Sequence, residues 1–161
     1  MTILEWCRAL EESRVGTMVR ETAFPYVEGT HVLGLSLSVG TVMWFDLRLL
    51  GATMTSRPVS VVFRDLRAWM FGGFALMFLT GALLLAARAT EAYESPYFRL
   101  KLALIVLAGV NMALYHLTIE RRDTEWGAAP VPPLAARVAG LVSLVLWFSV
   151  IAVGRIFAYS L

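Results

Sequence analysis

The stretch FPYVEGTHVLGLSLSVGTVMWFDLRLLG, residues 24–51, decides the fold. It is apolar for long enough to cross a bilayer, which takes about 20 residues of helix. Yet it carries Glu28 and His31 near one end and Asp46 and Arg48 near the other. Pro25 suits the first turn of a helix, where a missing N–H costs nothing. His31, Gly34, Ser38, Thr41 and Phe45 recur at steps of three and four and so share a face. Small and polar residues let helices approach closely in lipid. The spacing predicts a membrane-spanning helix over about 26–50, with that face turned into a bundle.

Working outward, the 161 residues are 58% hydrophobic and only 16% charged, against about a quarter charged in a soluble domain. Three more apolar blocks, at about 66–88, 97–119 and 135–160, are long enough to span. With short connections the expected architecture is all-α: an integral membrane, up-down four-helix bundle over residues 25–161. Residues 1–24 precede it as an amphipathic surface helix. There Thr2 and Glu5 have capping-box spacing, Ile3, Cys7, Leu10 and Met18 form an apolar face, and Arg8, Glu11, Glu12 and Arg14 oppose it. Such a helix lies at the bilayer surface or packs over the bundle end.

The net charge of +2, without a basic run, excludes nucleic acid as a partner. Cys7 is the single cysteine, so neither an internal disulfide nor a cysteine metal cage is available. The opening MTILEWCRALEESR lacks the regions of a cleaved signal peptide. Tyr26, Tyr93, Tyr97 and Tyr159 mark the membrane face on the N-terminal side, and Trp44, Trp69 and Trp126 the opposite face. Arginines flanking the first span favour the second face as cytoplasmic, which places the N-terminus outside.

Ionisable groups in hydrocarbon are costly and point to function. His31 faces the bundle, and Glu28, three residues earlier, is placed to orient its ring. Lys101 opens the third span, Asn111 and His116 sit deeper, and Arg155 interrupts the apolar run of the fourth. His31, Lys101 and Arg155 fall at similar depth, as a positive pocket for haem propionates, a quinone head or a carboxylate; snorkelling of Lys101 and Arg155 to the interface is the alternative. His31 and His116 differ in depth by roughly 25 Å at 1.5 Å per residue, so one haem iron does not bind both. Each is a candidate metal ligand alone, His116 with Met43 or Met112 as a partner. Glu28-x-x-His31 is also half of a di-iron pattern, but the chain has no second Glu-x-x-His. Asp46 and Arg48, two positions apart, do not face each other. Arg64, Arg67 or Arg122 is the expected partner of the first, and Glu120 or Asp123 of the second.

The motifs Pro25-x-x-Glu28-x-x-His31, Asp46-Leu47-Arg48-Leu49-Leu50-Gly51, Phe98-x-x-Lys101 with Asn111 and His116, and Gly154-Arg155 with Ala158-Tyr159 resemble a family of small bacterial four-span membrane proteins without an assigned function. More distantly, a histidine opening one helix and a Lys-Leu start closed by histidine on the third look like the CopD copper-resistance domain and HemJ, the haem-binding protoporphyrinogen oxidase. That resemblance implies haem b, with His31 and Lys101 in the functional positions. DLRLLG replaces HemJ's arginine-rich segment, so oxidase activity is not the expectation; nor is copper handling, since no methionine- or histidine-rich cluster is present.

The expected function is a haem-b redox or electron-transfer protein of the bacterial inner membrane. His31 is its axial ligand, Glu28 the partner of that ring, and Lys101 and Arg155 the propionate anchors. The alternative is a non-catalytic accessory or assembly subunit, in a larger complex or a homo-oligomer, held by small-residue helix faces. A ligand or proton carrier is the poorer reading, because no acidic group is expected at mid-membrane depth.

Overall fold

A computed structural model describes residues 2–119 and 128–159. Helices α1 (Ile3–Glu11), α2 (Arg14–Met18), α3 (Phe24–Leu49), α4 (Val59–Ala87), α5 (Ala89–Glu94), α6 (Pro96–Leu114) and α7 (Leu134–Tyr159) follow in order. Wide π-helical turns, Val19–Ala23 and Tyr115–Ile119, link α2 to α3 and extend α6. Among the described residues four runs are long and apolar enough to cross a membrane: Arg14–Leu49, Val59–Ala87, Pro96–Thr118 and Leu134–Tyr159. The protein is an all-α, four-helix, multi-pass membrane bundle. Tyr26, Tyr93, Tyr97, Tyr159, Trp44 and Trp69 are all exposed, as an interfacial belt requires; Trp126 lies outside the described residues.

The first helical run differs from its expected bounds. No break occurs at residues 24 and 25, because α2, the π turn and α3 form one continuous 36-residue run. The break lies at Glu12–Ser13, where Ser13 caps α2 through Gly16 N–H at 3.1 Å. Likewise α4 starts at Val59 rather than near 66: Pro58 supplies the fixed φ of a helix entrance. The added turns carry the exposed Arg57–Asp65 ion pair.

Close packing starts from the small residues of α3. A Cβ on Gly73 would lie 2.6 Å from the backbone nitrogen of Ser38, and one on Gly34 3.2 Å from Met77. So α3 and α4 touch nearly backbone to backbone. Gly140 brings α7 as close to Leu49 and Asp46, and α6 packs along α7. The remaining neighbours along the chain, α4 and α6, are not among the closely packed pairs of the described residues; they meet where Phe63 touches the His116 ring in the turn that extends α6. The four spans are therefore an open ring, in the order α4, α3, α7, α6.

The N-terminal segment straps the end of this ring. Both carboxylate oxygens of Glu11 accept from Thr90, one from its backbone N–H at 2.8 Å and one from its hydroxyl at 2.9 Å. Thr2 and Glu5 form the expected capping box. Meanwhile Ile3, Trp6 and Leu10 stay exposed. α1 thus docks on the bundle by a polar edge and leaves its apolar side for the interface. Glu11→Ala should loosen this strap by about 1–2 kcal/mol, the cost of orphaning a half-buried donor pair. Limited proteolysis of the first 13 residues is the readout; unchanged cleavage would contradict the docking.

Candidate functional site

Polar groups inside the bundle fall into two sets, one toward each membrane face. The first centres on His31, in the third turn of α3, against α4. Its Nδ1 lies 2.9 Å from the Thr80 hydroxyl. That hydroxyl has one proton and donates it to the Leu76 carbonyl at 2.7 Å. With that hydroxyl proton engaged, the ring is the donor in the His31–Thr80 contact. A neutral His31 therefore carries its proton on Nδ1 and presents a lone pair on Nε2. No described residue hydrogen-bonds Nε2. Gly81 makes room for the ring, whose Cε1 lies 3.3 Å from where a Cβ would stand.

Lys101 lies close enough to His31 to act on its charge, as does Glu28. Half-buried Lys101 runs along Gly154, whose missing side chain leaves its stem and Nζ 3.5 Å from a notional Cβ. Glu28 is exposed and makes no hydrogen bond to the ring; Thr80, which sequence reasoning missed, takes that orienting role. Arg155 is exposed and turns away. Its Nη2 donates to the Tyr159 hydroxyl at 3.0 Å and its guanidinium stacks 4.6 Å from that ring. The structure leaves Lys101 within electrostatic reach of His31 and Arg155 at the interface.

The second set lies toward the opposite face, around a cavity of about 190 Å³. His116 and Met112 are on its wall, as are Asn111 and Asp46. Met43 packs against the core and is not among the cavity's lining residues. His116 sits in the π-helical turn with its ring against Phe63 and Tyr115, centroids 5.0 and 5.3 Å away. Such turns widen a helix and occur often at functional positions. Asn111 donates to the Ala139 carbonyl at 3.0 Å and so ties α6 to α7.

Asp46 and Arg48 part company here. Arg48 is 0% exposed. It donates to the carbonyls of Arg57 and Ala129, both at 3.0 Å, and to Pro130 at 3.5 Å. It clamps the α3–α4 loop to the segment before α7; Glu120 and Asp123 lie outside the described residues. Asp46 pairs with neither Arg64 nor Arg67, which are exposed, and Arg122 lies outside the described residues. It is a buried acidic side chain on the cavity wall, close to the end of α3 where the sequence puts it. A signal existed: Val39, Val42, Asp46 and Leu49, spaced three, four and three, are all buried.

Residues 4–160 match a family of unknown function, DUF6644. The chain belongs to that family. No curated protein and no solved structure matches it. For this DUF6644 member the arguments about chemistry rest on the geometry above. That geometry offers an imidazole within electrostatic reach of a lysine amine near one face and a cavity bearing an acidic side chain near the other.

Proposed function

We propose that this DUF6644 protein binds haem b in the bacterial cytoplasmic membrane and works in electron transfer. His31 Nε2 is the axial ligand, and Lys101 the counter-charge for a propionate. The observation that supports this most is the Thr80 contact. Ligand histidines characteristically donate their other ring N–H to an acceptor, which fixes the tautomer and raises ligand basicity. His31 does this through Nδ1. The donor set fits, with a lone pair on one imidazole nitrogen, an ammonium in range and glycines beside both. The distant likeness to CopD and HemJ points the same way. When bound, haem supplies one-electron chemistry whose potential follows the axial ligand and its surroundings. The protein's part is to hold the ring, set its proton and neutralise the propionate. Arg155 has no part in it.

The experiment is spectroscopy of detergent-purified protein supplied with haem. A Soret band that shifts with dithionite is expected in the wild type and is lost in His31→Ala, while Thr80→Val weakens haem binding about 10–100-fold. A wild type that stays colourless with haem in excess defeats the proposal. The accessory-subunit reading keeps one observation: Gly29, Gly40 and Gly72 have open space where a Cβ would stand, so another helix has room to approach. Co-purification of a colourless protein with fixed partners would favour it. The face carrying Gly34 and Ser38 is already used within the chain.

A further inference from the structure

The haem reading leaves the Asp46 cavity unexplained. Asp46 is 3% exposed. Ser143 on α7 interacts with its carboxylate, yet Oδ2 has no hydrogen-bond partner among the described residues. A buried carboxylate oxygen without a donor is expensive, and here its residue stands on the wall of a mostly apolar cavity rich in aromatic rings. Phe45, Phe63, Phe74 and Trp147 line it with Tyr115 and His116. From those observations we infer that the cavity is a binding site for a neutral six-membered ring bearing a hydroxyl, which donates to Asp46.

Size, wall and access each narrow the ligand. A cavity of about 190 Å³ falls below the roughly 300–1,000 Å³ of pockets for drug-sized ligands. It is near the roughly 150 Å³ that holds benzene, so one ring fits and a porphyrin does not. Aromatic walls favour a flat ring, edge or face on. Access is from the bilayer. The ring of spans is open between α4 and α6, and there two wall residues, Phe78 (66% exposed) and Gly109, face outward. A ligand arriving through lipid partitions as a neutral molecule, which selects a hydroxyl over an ammonium as the donor. The site is distinct from His31, since 15 helical positions on α3 separate it from Asp46, about 22 Å at 1.5 Å per residue. A free phenol and the head of a lipid quinol share this chemistry.

Binding of 4-ethylphenol, ethylbenzene, 4-ethylbenzylamine and a decyl-tailed hydroquinone to the full chain in detergent, by calorimetry, tests the site. Wild type should bind 4-ethylphenol at least tenfold tighter than ethylbenzene, and Asp46→Asn should shrink that preference. Gly109→Leu should weaken binding of both rings while folding normally, because Gly109 borders the cavity and a Cβ there meets nothing within 4 Å. If the tailed hydroquinone binds at least as tightly as the phenol, the ligand source is the lipid phase; if only the short phenol binds, it is a free phenol. Equal affinity for ethylphenol and ethylbenzene in the wild type, tighter binding of the amine, or undiminished binding in Gly109→Leu overturns the inference. The comparison of ligands on the wild type needs no variant, and it is made on the full chain purified without added haem, where no iron is present for the amine or the phenol to ligate, so the two sites are tested separately.

Discussion

Arg48→Ala should destabilise the bundle by on the order of 3 kcal/mol. A charge-assisted hydrogen bond contributes about 1.5–3 kcal/mol, and among the described residues the side chain makes three, to Arg57, Ala129 and Pro130. The sum is discounted because loop carbonyls near a membrane face regain water once released. Arg48→Lys should recover only a minor part: an ammonium is a point donor, whereas the guanidinium fork reaches separated carbonyls at once. Thermal unfolding in detergent reads both, and an alanine variant within about 1 kcal/mol of wild type would contradict the clamp.

A second large effect is expected where α3 meets α4. In Gly73→Ala the new Cβ would stand 2.6–2.9 Å from the Ser38 backbone nitrogen, Cα and Cβ, and backbone does not swing aside. The helices must separate, at a cost of about 1–3 kcal/mol or more for such overpacking. Its neighbour provides the control. Gly72 meets nothing within 4 Å, so Gly72→Ala should be neutral or stabilising by up to about 1 kcal/mol through helix propensity. If the two alanine variants unfold alike, the register between α3 and α4 is not the one described.

Hydropathy made the four spans legible, because a bilayer imposes length and apolarity on any segment that crosses it. The inward face of α3 was equally readable, since Gly34, Ser38 and Phe45 are buried where their spacing puts them. What lay beyond reading was pairing across helices. Thr80 is an ordinary polar residue in an apolar run until α4 is registered against His31. Asp46 reads as the polar end of a span, and only the approach of α7 through Gly140 and Ser143 turns it into a wall of a cavity. Arg155 shows the converse: depth along the chain placed it beside Lys101, but its aromatic neighbour one turn on holds it outward.

The open ring also divides the molecule mechanically. Its halves, α3 with α4 and α6 with α7, meet chiefly along the seam between α3 and α7, with the Phe63–His116 and Phe45–Tyr115 ring contacts beside it. Like the covers of a book, they can change their angle while each keeps its own internal packing. Membrane thickness and the bulk of surrounding acyl chains therefore act on the fore-edge directly, and the seam residues Leu49, Asp46 and Gly140 form the spine that feels the change.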